Sequence, residues 1–318
     1  MPEVPRVPEV PGVRYQGAKR ARGAKGAFAA AAAFVFVSVC AASAQPAGGL
    51  LVSPAELAGE LGAPGLLVLH VHEREATYEA GHIPGARFIR YSTFATDEPG
   101  GLGAELPTVA GLQRVLEAAG VRADQRIVIY SPSLLMAARL FFTLDIAGHG
   151  NVALLDGGLR AWQAEGRPIE TGASPAPPSP GAFTPRIDEA RMATADWIQA
   201  RLGSDALALV DVRPDPEYTG APGNDLGSPG HLPGARQLTW NALVGDDGRF
   251  LPRAELATRL EAAGARPGRP VVAYCMVGMR ASVVYFASRL LGYDTRLYDG
   301  SIIDWGRRGL PVVKGHRN

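Results

Sequence analysis

The sequence is poor in cysteine, in net charge and in long apolar runs. Only two of its 318 residues are cysteine, which excludes a disulfide framework and a four-thiolate zinc site. The formal net charge of +1 gives no basic field that would attract nucleic acid, so we expect no nucleic-acid partner. The apolar run at residues 27–39 is shorter than the roughly 20 residues that a transmembrane helix needs.

This apolar run has the surroundings of an export signal. Basic residues at positions 14–25 precede it, and a small-x-small cleavage site ending at Ala44 follows it. We therefore expect residues 1–44 to be removed and the mature protein to be periplasmic or secreted, with the signal segment as its only membrane contact. An uncleaved anchor and a lipid anchor on Cys40 are the weaker alternatives. Cleavage leaves Cys275 as the only thiol.

The rest of the chain contains one sequence unit twice, in the same order. LEAAGVRADQRIVIYS at residues 116–131 is matched by LEAAGARPGRPVVAYC at residues 260–275. A G-H-x-P-G-A motif precedes each copy, and an Asp-Gly motif with a nearby Trp follows each. A tandem duplication explains this order. We place the domains at residues 50–168 and 189–318, joined by a linker at 169–188 that is rich in Pro and Ser.

Both copies alternate short apolar runs with longer helical patterns. Runs that are apolar on both faces are typical of parallel strands buried between helices. The strands are predicted at 66–71, 127–130, 206–212 and 271–274, and the clearest helices at 110–119, 254–263 and 280–291. The sequence therefore predicts an α/β fold with two tandem domains, each a parallel sheet covered by helices on both faces.

The residues best suited to carry out a reaction lie at positions 275–280, between a predicted strand and a predicted helix. Ligands of α/β proteins bind at the carboxyl ends of the strands, and a loop that opens a helix presents amide N–H groups to an anion. Cys275 begins this loop, Gly278 permits a tight turn, and Arg280 adds a permanent positive charge. These are the components of an activated thiolate nucleophile beside an oxyanion site.

Several motifs together resemble the rhodanese family. They are the C-x-x-G-x-R loop, Asp211-Val212-Arg213 with Glu217-Tyr218, the motif at 230–235, and Asp299-Gly300 with Trp305. With its altered first copy, the chain resembles a tandem-domain thiosulfate or 3-mercaptopyruvate sulfurtransferase. The resemblance covers nearly everything after residue 50. It implies a sulfurtransferase that needs no metal and no organic cofactor.

The resemblance also implies roles for individual residues. Cys275 matches the cysteine that carries sulfur as a persulfide, which forms from a small donor and passes its sulfur to cyanide or a thiol. Arg213 matches the family's substrate-binding arginine, and Arg280 would share that work. The loop amides of Met276, Val277, Gly278 and Met279 would stabilise the persulfide. We expect a monomer, because the duplication already supplies the pairing of domains.

The first copy departs from this pattern at its key positions. Ser131 replaces the cysteine, the residues after it lack the Gly and the Arg, and His72 stands where Arg213 stands in the second copy. We expect this half to be non-catalytic and to wall the pocket from across the domain interface. His70 and His72 share one face of a strand, but without a third ligand we expect interface residues rather than a metal site.

Alternatives remain for the reaction. Cysteine phosphatases of similar fold use C-x-x-x-x-x-R, one residue longer than the loop from Cys275 to Arg280. A silent rhodanese-like binding module would commonly lack the Cys or the Arg, and this chain keeps both. Carriage of the sulfur, as a persulfide, to a protein partner stays open as an alternative. Arg280 favours thiosulfate over 3-mercaptopyruvate as the donor. Trp240 either lines the pocket or, as we expect of most Trp residues, lies in the core.

Overall fold

The computed structural model describes residues 49–97, 99–176, 180–221 and 230–316. The export signal expected at residues 1–44, with Cys40 inside it, lies outside the described residues. Within the described ranges, no helix has both the length and the apolar character needed to cross a membrane.

The first half is a five-stranded parallel sheet with its helices, in the strand order β1-β5-β4-β2-β3. Its first helix begins with a capping box in which Ser53 and Glu56 exchange hydrogen bonds. The elements are β1 (Leu51–Val52), α1 (Pro54–Glu60), β2 (Leu66–His72), α2 (Glu75–Ala80), β3 (Arg87–Arg90), α3 (Val109–Ala118), β4 (Arg126–Tyr130), α4 (Leu134–Ile146), β5 (Val152–Leu155) and α5 (Gly158–Ala164).

The second half repeats this arrangement with a four-stranded parallel sheet, in the order β7-β6-β8-β9. Its elements are α6 (Ala195–Gln199), β6 (Ala208–Asp211), α7 (Asp215–Thr219), β7 (Arg236–Gln237), α8 (Arg253–Ala262), β8 (Val271–Tyr274), α9 (Ala281–Leu291), β9 (Thr295–Leu297) and α10 (Ser301–Arg307). The predicted α/β fold with two parallel sheets is confirmed, and β6 is shorter than the run of apolar residues suggested.

Side chains on both faces of each sheet are buried. On β2, for example, Leu67 and Leu69 point into one apolar cluster and Val68 into another on the opposite face. The first of these clusters extends across both halves, because α4 packs on α9 with Phe141 edge-on to Phe286 at 4.8 Å between ring centroids. The two halves therefore share this one apolar cluster, and the loops at the start of α4 and α9 lie beside that shared interface.

A matching turn in each half shows the duplication in three dimensions. His82 stacks on Tyr78 with 3.8 Å between ring centroids, and its Nδ1 lies 2.9 Å from the Tyr78 carbonyl oxygen. His231 and Tyr218 repeat both distances. These histidines thus tie the G-H-x-P-G-A turns to the preceding helices, which is a structural rather than a chemical task.

The segment between the halves lies along the first half. Glu170 pairs with His82 through two backbone hydrogen bonds of 2.9 Å, and the Gly181 N–H donates to the Glu117 carbonyl at 2.8 Å. Further on, the Asp188 N–H donates to the Ile146 carbonyl at 2.7 Å. The described parts of the linker are therefore fastened by backbone hydrogen bonds and do not act as a free tether.

Candidate active site

Cys275 stands at the carboxyl end of β8, one of the two central strands of its sheet, where the resemblance placed the reactive thiol. All four residues of β8 are buried, and the loop of residues 275–280 connects the strand to α9. Cys275 is a free cysteine with 1% of its surface exposed. Because α9 begins directly after Arg280, the positive end of this helix faces the loop.

Ser301 is a site residue that the sequence analysis missed. Its Oγ accepts the backbone N–H of Cys275 at 3.1 Å and that of Gly278 at 3.2 Å, and donates to the Tyr298 carbonyl at 2.8 Å. The hydroxyl therefore links both ends of the tight turn to the start of α10. Ser301 has a positive φ of 51°, a left-handed conformation that costs a serine free energy. The Asp-Gly motif before it was a signal for this position, but the hydroxyl contacts were not readable from it.

The loop leaves four amide groups without an acceptor. In the described part of the chain, no hydrogen bond is formed by the backbone N–H of Met276, Val277, Met279 or Arg280. The Gly278 N–H, which we expected to contact substrate, is instead bound to Ser301. The amide set available to an anion therefore includes Arg280 and excludes Gly278.

Gly278 is required by space as well as by backbone conformation. Its φ is 81°, a region that residues with a Cβ seldom adopt. A Cβ at this position would collide with the carboxylate of Asp299 and lie 2.9 Å from Nη1 of Arg139. The tight turn thus brings the loop backbone directly against an ion pair of the neighbouring elements.

Arg280 is held at the thiol by a two-point ion pair. Its Nη1 and Nη2 donate to the two carboxylate oxygens of Glu217 at 2.7 and 2.8 Å, and its guanidinium interacts electrostatically with the Cys275 side chain. Burial disfavours the cation, but the interactions with Glu217 and Cys275 outweigh it and raise the pKa of Arg280. A permanent positive charge therefore stays beside the sulfur.

Arg213 follows strand β6 as the resemblance implied, but it is not exposed as a substrate-binding residue has to be. Its side chain is buried, with Nε donating to Asp211 at 2.9 Å and Nη2 donating to Asp211 at 2.6 Å and to the Gly230 carbonyl at 2.8 Å. The guanidinium also lies 5.8 Å from the centre of the Tyr274 ring. With no exposed surface, Arg213 cannot meet a donor anion in this structure. Arg213 therefore has a structural role instead of the expected substrate-binding one. Its guanidinium joins Asp211 of β6 to the turn at Gly230.

A small cavity of about 140 Å³ opens beside Arg280. Trp240, which we expected in the core, is only partly buried and lines this cavity with Thr239 and Asn241. Val212 and Pro214 complete the wall, whereas Arg213 between them is turned away into its ion pair. The cavity offers one cation, one indole ring and neutral polar groups beside the cysteine loop.

A turn of the first half lies against the other side of the loop, where a Cβ on Gly103 would lie 3.9 Å from the Val277 side chain. This covering turn, which contains residues 99–105, is closed by two backbone hydrogen bonds between Thr96 and Glu105, of 2.8 and 2.9 Å. Arg307 donates to the carbonyls of Gly100 and Gly101 at 2.9 and 2.8 Å, which binds this turn to α10.

An ion pair between the halves lies directly behind the covering turn. Arg139 of α4 is fully buried and pairs with Asp299 through both guanidinium nitrogens, and its Nη2 also donates to the Ala104 carbonyl at 2.7 Å. This contact was not anticipated, since Arg139 belongs to no motif. The Arg139 side chain thus connects α4 to both the covering turn and Asp299.

The corresponding place in the first half lacks a comparable loop. Only residues 131–133 separate β4 from α4, so the helix starts sooner than α9 does after β8. The Ser131 Oγ accepts the Ser133 N–H at 3.0 Å, and Gly158 stands at the position of Ser301. A shortened loop with a serine cannot form the ring of free amides that residues 275–280 form.

The paired histidines of the first half do not lie at the interface between the halves. His70 is buried among the rings of Tyr78, Phe88 and Tyr130, on the sheet face that packs within the first half alone. The Nδ1 of His72 accepts the Arg74 N–H at 3.0 Å. Among the residues described, no group of three His, Cys, Asp or Glu side chains is arranged to hold a metal ion.

These features define a class of protein. A duplicated α/β unit carries one free thiol at the head of a loop of unpaired amides, with a paired arginine beside it, and so can hold an anionic group on a cysteine. The chain belongs to the rhodanese-like domain family, whose model matches residues 53–165 and 194–308.

Several curated relatives match most of the chain. It is 33% identical to a thiosulfate sulfurtransferase of Pseudomonas aeruginosa, over 81% of this chain and 94% of that protein. It is 36% identical to a probable 3-mercaptopyruvate sulfurtransferase of the same organism, over 80% and 94%. A sulfur carrier protein of Thermus thermophilus, TtuD, is 31% identical over 84% and 97%. The resemblance to the rhodanese family is thereby confirmed.

Solved structures agree on the fold. YnjE superimposes with a TM-score of 0.76 at 26% identity, over 85% of this chain and 69% of that one. An anaerobic ergothioneine biosynthesis enzyme from Chlorobium limicola gives a TM-score of 0.74 at 24% identity, over 84% and 71%. The second match supports the fold alone.

Proposed function

We propose that the protein is a sulfurtransferase that takes sulfane sulfur from thiosulfate and passes it to cyanide or a thiol through a persulfide on Cys275. The observation that carries this proposal is the free thiol of Cys275 at the head of a loop with four unpaired amides, beside the Arg280 cation. Such a site stabilises an anion bound to a cysteine without a metal or an organic cofactor.

The reaction divides into two displacements at sulfur. The Cys275 thiolate attacks the outer sulfur of thiosulfate, the bond between the two sulfur atoms of thiosulfate breaks, and sulfite leaves with the electron pair of that bond. The product on the enzyme is an anionic persulfide. The acceptor then attacks the outer sulfur and restores the thiolate. The free amides of Met276, Val277, Met279 and Arg280 are placed to hold the negative charge in both steps.

The site's size and charge support thiosulfate as the donor. The cavity of about 140 Å³ beside Arg280 suits a compact anion, and the Arg280 cation in its wall favours one. A second candidate donor is 3-mercaptopyruvate, which is favoured by the 36% identity to a probable 3-mercaptopyruvate sulfurtransferase. A protein acceptor for the sulfur is the third possibility, in line with the match to a sulfur carrier protein.

The test is the mass of the purified protein after mixing with thiosulfate. We expect a gain of one sulfur on Cys275 together with the release of sulfite. Turnover of 3-mercaptopyruvate, with no increase in protein mass after mixing with thiosulfate, would show that 3-mercaptopyruvate is the donor. Cys275→Ser should abolish both reactions, and retained turnover in that variant would contradict the persulfide. Ser131→Ala changes the corresponding residue of the first half and should leave turnover nearly unchanged.

We further propose that the protein is exported, cleaved after Ala44 and active as a periplasmic or secreted monomer. The basic segment, the apolar run and the small-x-small site support export. Sequencing the amino terminus of the protein from a periplasmic fraction should give Gln45 as the first residue. Light scattering after size-exclusion chromatography should give the mass of one chain. A retained Met1, or a dimer mass, would contradict the respective part of the proposal.

A further inference from the structure

Tyr91 places an unpaired hydroxyl at the interface between the halves. It opens the short 3₁₀ turn Tyr91–Thr93 directly after the edge strand β3, and its ring packs against the apolar cluster that contains Cys275. Phe94 meets the ring edge-on with 5.5 Å between centroids. The Tyr91 hydroxyl oxygen is buried and has no hydrogen-bond partner among the described residues. A buried hydroxyl without a partner costs free energy, so its retention calls for an explanation.

The groups around this hydroxyl belong to the candidate active site. Arg139, Asp299, Asp97 and Cys275 all interact electrostatically with the phenol. Arg139 is already engaged by Asp299 and the Ala104 carbonyl. Burial raises the pKa of Tyr91 to about 12, so the phenol keeps its proton at neutral pH and can act as a donor. What the hydroxyl lacks is an acceptor.

Persulfide formation would supply an acceptor within the site. Both the hydroxyl and Cys275 are buried, so an acceptor that remains with the protein has to be a group held inside, and a sulfur attached to Cys275 is such a group. A sulfur–sulfur bond extends the reach of Cys275 by about 2 Å and leaves a negative charge on the outer atom. A bond formed only in the loaded state stabilises that state alone.

We propose that the Tyr91 hydroxyl donates a hydrogen bond to the outer sulfur of the persulfide on Cys275. The non-catalytic first half then takes part in holding the transferred sulfur. This inference rests on the proposed function, since it assumes a persulfide at Cys275. It adds a residue outside the cysteine loop, from the other copy of the repeat.

The experiment measures the equilibrium between loaded protein, which carries the persulfide on Cys275, and free protein, which carries the thiolate. Sulfite removes the outer sulfur as thiosulfate and returns the thiolate, so a titration of loaded protein with sulfite gives the concentration at which half is unloaded. In Tyr91→Phe, that concentration should fall about tenfold, as expected for the loss of a hydrogen bond to a charged group. Intact mass reports the loaded fraction.

Tyr293→Phe is the matched control. This residue follows α9 at the end away from the cysteine loop, roughly 16 Å along the helix. It should have the midpoint of the wild type. An unchanged midpoint in Tyr91→Phe would overturn the inference, and so would a shift of equal size in Tyr293→Phe. A changed loading rate with an unchanged midpoint would also overturn it, because the bond would then be made to the donor.

Thermal unfolding distinguishes this function from a structural role. Phenylalanine keeps the ring and removes only the hydroxyl, so Tyr91→Phe in the sulfur-free state should melt at or above the temperature of the wild type. A clear decrease would mean that the hydroxyl already has a partner, which contradicts the inference. If thiosulfate fails to load even the wild type, the proposed donor is wrong. The same sulfite titration on protein loaded with inorganic polysulfide then still tests Tyr91.

Discussion

The hydroxyl of Ser301 accepts a hydrogen bond from the backbone N–H of Cys275 at 3.1 Å. This bond ties Cys275, which carries the reactive sulfur, to the start of α10. The same oxygen accepts the N–H of Gly278, so a single side chain sets the distance between the two ends of the turn. The unpaired amides lie between and beside these two fixed points. Their direction therefore depends on a hydroxyl that makes no contact with solvent.

Ser301→Gly should impair both catalysis and stability. Glycine accepts the positive φ without strain but leaves two buried N–H groups without their acceptor, so we expect a loss of about 1–3 kcal/mol in the free energy of unfolding. Misplacement of the loop should lower kcat/KM for thiosulfate by about tenfold or more. Ser288→Ala is the matched control, because the buried Ser288 hydroxyl has no partner among the described residues. Wild-type kcat/KM in Ser301→Gly would contradict the positioning role.

Arg280→Lys should lower kcat/KM for thiosulfate by about tenfold or more. Lysine keeps the charge but cannot form the two parallel bonds to Glu217, so the cation would no longer be fixed beside the sulfur. Arg289→Lys makes the same change at the far end of α9, where the guanidinium pairs with Asp145 at 3.0 Å. We expect this control to alter stability but not activity. Equal activity losses in the two variants would show that the position of Arg280 is unimportant.

Asp299→Asn should destabilise the joined halves. It leaves the fully buried Arg139 without its carboxylate, and removal of one partner of a buried pair costs about 3–5 kcal/mol. Denaturation with urea measures the loss. The double variant with Arg139→Met should be less destabilised than the sum of the two single variants, because no unpaired charge remains. Strict additivity would mean that the pair contributes no coupling between the halves.

His70 should make the protein less stable in acid. Burial lowers the pKa of His70 to about 4, from 6.5 for an exposed histidine, and the neighbouring His72 and His82 act in the same direction. Below pH 6.5 the unfolded chain therefore binds a proton that the folded chain does not. The free energy of unfolding therefore decreases as the pH falls. Relative to neutral pH, this one group lowers it by about 2 kcal/mol at pH 5 and by up to about 3 kcal/mol at pH 4.

His70→Phe removes this titration while keeping an aromatic ring among Tyr78, Phe88 and Tyr130. Urea midpoints at pH 7 and pH 5 should then differ less in the variant than in the wild type. Parallel pH profiles for the two proteins would show that His70 is protonated without cost in the folded state.

Much of this architecture could be predicted from the sequence, because it rests on local patterns. Short runs that are apolar on both faces indicate buried strands, and the strand predicted at 271–274 matches β8. The repeated LEAAG segments defined the duplication, and the loop from Cys275 to Arg280 identified the reactive end of the strand.

Other features of the site depend on the tertiary structure. The motif Asp211-Val212-Arg213 does not reveal whether its arginine faces a ligand or a carboxylate, and only the folded chain shows it buried on Asp211. Arg139 meets Asp299 across 160 positions of sequence, and Ser301 meets Cys275 across 26. The sequence by itself determined which residues can do chemistry and on which strands they lie. Packing decided which of them are free, since a buried polar group takes the partner that the fold brings to it.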